Sequence, residues 1–249
     1  MLKSLKAITL SIIFLCSVVF AHHGKDYFVA TSYSTPHKGD FLALLSFDYD
    51  SRASHHHESE NHLAAENDGF SLEPGFLYGL SDKWSLELHT HNLIADGALH
   101  TESFALESLI RIFDEKNDHT HFSPPFSIAV LLEYGFGFEE TPDDLELQLI
   151  MGKDLRLFSL VANLIAQKMM ENNEQFQYKV ALGINPYLPG SISGTLEFDM
   201  GFGENSEIYL TPGIRFSPSA KLDFRIGTSI NLHADNSDFI MRSMIIYEF

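Results

Sequence analysis

The sequence of 249 residues holds one cysteine, Cys16. It lies in an amino-terminal segment with the marks of a removable signal, so the chain beyond it has no disulfide and no thiol chemistry. Basic residues are also scarce, with 16 Lys and Arg against 34 Asp and Glu, a formal charge of -18. An exported chain this acidic is a poor binder of nucleic acid and attracts cations. Only one long apolar run occurs, from about Ala7 to Phe20, and it falls short of the about 20 residues a spanning helix needs. The rest shows no amphipathic helical period, no Gly/Ser- or Pro-rich linker and no strict repeat. Catalytic signatures are missing too. There is no Gly-x-Ser-x-Gly, no His-Glu-x-x-His and no Gly-rich phosphate loop. A His91–Asp96 pair is the nearest approach to a catalytic arrangement, so an enzyme is not expected.

Residues 1–21 read as a secretory signal peptide, with two lysines, an apolar stretch and small residues before a cleavage point after Ala21. Cleavage there leaves 249 − 21 = 228 residues beginning His22-His23-Gly24. It also removes Lys3 and Lys6. The remaining 14 basic residues then face 34 acidic ones, a charge of about -20.

Twelve segments beyond the signal alternate apolar with small or polar residues: 41–50, 69–80, 84–94, 101–112, 126–137, 145–152, 157–168, 175–186, 191–202, 207–217, 220–231 and 237–249. Alternation of period two is the mark of strands with two unlike faces. In 191–202, Ile192, Leu196, Phe198 and Met200 oppose Ser193, Thr195, Glu197 and Asp199. The apolar faces carry many aromatics, and the polar faces carry charges at mid-strand. That pattern suits strands with lipid outside and a polar interior. Closure into a barrel is required, because an open sheet edge has no partner in lipid. The expected fold is therefore all-β, a closed antiparallel transmembrane barrel of about 12 strands over residues 41–249. Residues 22–40 are expected to form a periplasmic leader that packs into the barrel mouth, although 27–34 also has strand character. A secreted β-sandwich is the alternative. The final strand ends in Phe249, and Tyr247, Ile245 and Met241 share its face. A terminal aromatic of this kind resembles the signal by which outer-membrane barrels are recognised by their assembly machinery. With both termini inside, four of five inner connections are short, the longest loop (51–68) is outside, and 95–100 forms an outer loop.

Three stretches, "TPHKGDFLALLSFDYD", "FLYGLSDKWSLELH" and "FSIAVLLEYGFGFEETPDDLELQLIMGKDLRLFSLVANLIAQK", resemble outer-membrane proteins grouped as the meta-pathway phenol-degradation family. The shared elements are the turn Gly79-Leu80-Ser81-Asp82 and Asn163 in a middle strand. The resemblance implies a barrel that passes small molecules. The histidines depart from a general channel for aromatic solutes.

Thirteen histidines occur, all beyond the signal segment. His22 and His23 begin the processed chain; His55, His56, His57 and His62 lie in "HHHESENH" of the longest outer loop; His89 and His91 share the interior face of one strand, with Glu87 in line. His119 and His121 form a second His-x-His pair; His37, His100 and His233 are scattered. Imidazole is a ligand for copper and zinc, and His-rich tracts signal metal binding by composition. Their plainer role is polarity. On the same register Glu73, Glu87, Glu107, Glu133, Glu146, Glu197, Asp199, Asp223 and Glu248 point inward, as do Arg111, Lys179, Arg215, Arg225 and Arg242. Many of these should pair with one another, since buried charges must be paired or solvated. The surplus of acid favours cations. The expected function is an outer-membrane channel or transporter for small solutes or cations, linked to copper or zinc. The alternative is a non-conducting barrel that captures or senses metal through its loop and amino terminus. Expected partners are outer-membrane lipid, the assembly machinery and the solute or cation.

Overall fold

The computed structural model describes residues 27–51, 69–95, 97–115, 125–138, 141–170, 175–186, 188, 191–202, 207–232 and 239–249. The strands are β1 (Phe41–Asp50), β2 (Gly69–Ser81), β3 (Trp84–Ala95), β4 (Ala98–Phe113), β5 (Ser127–Gly137), β6 (Asp144–Asp154), β7 (Phe158–Met169), β8 (Gln177–Pro186), β9 (Ile192–Phe202), β10 (Ile208–Ser219), β11 (Leu222–Asn231) and β12 (Phe239–Glu248). Each pairs antiparallel with its sequence neighbours, and β1 pairs with β12 to close the barrel. No helix among the described residues is long and apolar enough to cross a membrane. The crossing is made by strands.

The alternation seen in the sequence becomes an inside and an outside. Leu88, Leu106, Leu132, Leu147, Leu182 and Ile226 point outward, each more than 40% exposed. Such a belt is stable only against lipid. Aromatics gather at both ends of it. Phe41 stacks on Phe76 with ring centroids 5.5 Å apart at one end, and Phe104 lies 5.5 Å from Phe136 at the other. Phe249 packs on Phe41 at 5.3 Å, and its N–H donates to the Phe41 carbonyl at 3.0 Å. The residue thus sits on the closing seam. Across that seam Arg242 Nη1 donates to Asp48 Oδ2 at 2.6 Å.

The outer loop expected over 95–100 is not present in that form. β4 begins at Ala98, so only Asp96 and Gly97 join it to β3. Gly97 has φ +72°, the left-handed conformation that an Asp-Gly hairpin turn demands. Residues 27–40 contain no strand, and the barrel keeps twelve rather than thirteen.

Candidate functional site

Residues 27–35 lie inside the barrel, with Tyr27, Ala30, Ser32, Tyr33, Ser34 and Thr35 all buried. At the end with the short turns, Thr35 Oγ1 donates to the Asp82 carbonyl at 2.8 Å, and the Lys38 N–H donates to Asp82 Oδ1 at 3.0 Å. The Lys38 amide holds the Asp82 carboxyl below the ordinary carboxylate range. Deeper in, Asn163 Nδ2 donates to the Thr31 carbonyl at 3.0 Å, and the Tyr27 hydroxyl meets Ser159 Oγ at 3.1 Å. At mid-barrel, Glu197 accepts three backbone N–H bonds, from Phe28 at 2.9 Å, Val29 at 2.7 Å and Ala30 at 2.9 Å. Successive amides converging on one carboxylate form an anion-binding nest.

The wall is shaped for this segment. The Tyr33 ring lies against Gly152, the Tyr27 ring against Gly183, and the Phe28 ring against Gly213 and Gly227. A β-carbon on Gly183 would stand 2.6 Å from the Tyr27 ring, and one on Gly227 would stand 2.9 Å from Phe28. Only glycine lets the rings approach so closely. Leu109, Leu131, Ile150, Val161 and Ile165 turn inward and form one apolar cluster with Tyr27, Ala30 and Tyr33. These inward apolar side chains interrupt the polar interior expected from alternation, and the leader covers them.

Beyond Tyr27–Thr31, toward the end of the barrel that bears the 51–68 connection, lies a cavity of about 200 Å³. Asp48, Glu73, Glu87, Glu107 and Glu133 line it, against one guanidinium, Arg242. His89 and His91 line it as well. The strand register makes the acid more concentrated than any count suggests. Glu87 is directly opposite Glu107, Glu107 opposite Glu133, and Glu133 opposite Glu146, a row of four glutamates over β3 to β6. An ion cluster occupies the far wall. Arg215 and Arg225 are cross-strand neighbours, and Asp223 bridges them. Its Oδ2 lies 2.8 Å from Arg215 Nε and 2.9 Å from Arg225 Nη2. Since β11 stands six strands from β5 in the ring of twelve, the glutamate row and the arginines face each other across the lumen.

The expected interior residues therefore separate into groups. Glu73, Glu87, Glu107 and Glu133 meet at the cavity with His89 and His91. Asp223 and Arg225 form an ion cluster, and Arg242 joins Asp48 at the seam. Arg111 pairs with Asp114 at 3.2 Å and reaches the Asp82 carbonyl, at the rim rather than in the cavity. Glu197 does not face open space, because the leader amides take its carboxylate. Asp199 stands half-buried on β9, opposite Tyr209. His22, His23, His55, His56, His57 and His62 lie outside the described residues, as do Asp96, His119, His121 and His233. Asp48 and the glycine sockets were missed by sequence reading. Asp48 follows the same alternation on β1 and was legible there; the sockets had no signal beyond glycines spaced in strands.

No known sequence family and no curated protein matches the chain. Solved structures do. The NanC porin superposes with a TM-score of 0.61 at 6% identity, covering 83% of this chain and 100% of its own. The KdgM porin gives 0.58 at 10% identity, covering 84% and 99%; in complex with disordered oligogalacturonate it gives 0.57 at 10%, covering 83% and 99%. The COG4313 outer membrane channel from Pseudomonas putida F1 gives 0.55 at 12%, covering 87% and 98%. The chain has the closed 12-stranded fold of outer-membrane barrels, as its lipid-facing belt requires.

Proposed function

We propose that the chain is an outer-membrane channel for small cationic solutes, closed in its inner half by its own residues 27–35. The carrying observation is the cavity above the leader, where five carboxylates meet one guanidinium that is already bonded to Asp48. Acid walls in a low-dielectric enclosure concentrate cations and repel anions. Oligogalacturonate, found with the KdgM porin, is a polyanion, opposite in sign to what this cavity would admit. The resemblance to the meta-pathway phenol-degradation family belongs to this reading. Gly79, Asp82 and Asn163 carry that resemblance, and all three touch the leader: Gly79 at His37, Asp82 at Lys38, Asn163 at Thr31.

The filled lumen favours a second reading, a barrel that binds metal without conducting. The reversal potential across a planar bilayer under a salt gradient separates the two. A cation preference is expected, and Glu107→Gln with Glu133→Gln should reduce it. An anion preference would contradict the first reading, and no current under any condition would favour the second.

A further inference from the structure

We infer that His89, His91 and Glu133 bind one divalent transition-metal ion, with Glu73 and Glu87 orienting the two imidazoles. The inference deepens the cation-channel reading and rests on it for the ion's route, though not for the chemistry of the site. One donor atom from each of His89, His91 and Glu133 lies within 4.8 Å of the other two. Ligands about 2.0–2.2 Å from a tetrahedral ion stand roughly 3.3–3.6 Å apart. The donors need to close by little more than an ångström, which rotation of three side chains provides. His89 and His91 alternate on β3 and so share a face; their rings meet edge to face with centroids 4.9 Å apart.

The surrounding carboxylates fit the same purpose. His91 Nδ1 lies 3.0 Å from Glu73 Oε1, and His89 Nδ1 lies 3.4 Å from Glu87 Oε1. The His91–Glu73 contact is a hydrogen bond, and a carboxylate bonded at Nδ1 fixes the imidazole so that Nε2 carries the lone pair toward a metal; Glu87 stands at ion-pair distance from His89 and needs a small rotation to do the same. His89 Nε2 already stands 3.9 Å from Glu133 Oε1. Gly75, opposite His89, leaves room for the ring: a β-carbon there would come within 3.0 Å of the His89 β-carbon. Glu107, beside Glu133 in the row, adds negative charge that a bound cation would offset.

Two imidazoles and one carboxylate leave coordination positions for water, the pattern of an exchangeable site rather than a closed structural one. Nitrogen donors select zinc, copper or nickel over calcium or magnesium, which take oxygen. The site therefore suits a borderline ion held in transit or sensed.

The test uses the full-length protein folded in detergent, with His22, His23, His55, His56, His57, His62, His119 and His121 replaced by Asn to silence the other clusters. Calorimetry with Zn²⁺ and with Ca²⁺ is compared in this background, in His89→Ala/His91→Ala and in Glu73→Gln. One Zn²⁺ per barrel is expected, with affinity lowered about 100-fold or more by the double change and about 10-fold by Glu73→Gln. Calcium binding should be weak throughout. If the double variant does not fold, Co²⁺ absorption of the background protein decides: tetrahedral d–d bands from nitrogen ligation support the site, and a purely octahedral aquo-like spectrum overturns it. Zn²⁺ affinity unmoved by the double change, or matched by Ca²⁺, also overturns it and leaves the imidazoles as ion-pair partners of the glutamates. Metal binding without conductance would end the channel reading and leave the site intact; conductance without metal binding would do the reverse.

Discussion

Glu197 is the residue that holds the leader at mid-barrel. The residue is 1% exposed, and its carboxylate is satisfied by three leader amides. Hydrogen bonds to a charged group contribute about 1.5–3 kcal/mol each, less where several share one anion. Glu197→Gln keeps the shape, removes the charge and turns an NH₂ group toward amides that need an acceptor. The leader should loosen by about 3 kcal/mol, and hydrogen exchange at residues 28–30 should speed up by about 100-fold. Unchanged exchange would show that ring packing alone holds the segment. Glu107 gives a second test. It stands between Glu87 and Glu133, and like charges directly opposite are destabilising. With metal chelated, Glu107→Gln should raise stability by roughly 0.5–1 kcal/mol. A clear loss would mean that the row is bound together by shared protons or a tightly held cation. Alternation alone told which of these residues face inward, because a strand has only two sides. It could not show that four glutamates stand in one row, because that depends on register. A slip of one residue in any pair would put each opposite a side chain of the outward face.

At the scale of elements, the twelve strands were legible because each repeats one simple contrast. Their observed bounds differ from the expected ones by a few residues. The exception, the start of β4, has a local cause. Asp96-Gly97 is a turn signal that was absorbed into a longer outer loop. The leader was the least legible element. It has no period of its own, and its path is fixed by glycines on β6, β8, β10 and β11 and by single side chains on β7 and β9. Gly152→Ala tests that dependence. Its β-carbon would run into the Tyr33 ring of the leader. Protease sensitivity of the leader should increase while the barrel's heat-modifiable mobility stays the same. Loss of the folded barrel itself would indicate that the glycine serves the wall, not the leader. At the seam, Phe249 is proposed to serve as assembly signal and packing residue together. Deleting it should lower the heat-modifiable, membrane-inserted fraction far more than shortening the 52–68 segment does. Equal insertion of both variants would remove that role.

At the scale of the whole molecule, a row of acid faces a wall of ion pairs. The glutamate row on β3 to β6 lies across the lumen from Arg215 and Arg225, which Asp223 bridges, and Arg242 is bonded to Asp48 at the seam. The acidic composition hinted at a preference for cations but not at this arrangement, which needs the closed ring to bring distant strands face to face. The leader lies between these walls in the inner half of the barrel, with the cavity standing above it. Single-channel recording in planar bilayers tests this account most directly, comparing the full-length protein with one lacking residues 27–35. The account predicts long closed periods for the full-length protein and sustained, cation-preferring current once the leader is gone; equal conductance from the two, or anion-preferring current from the shortened form, would contradict it.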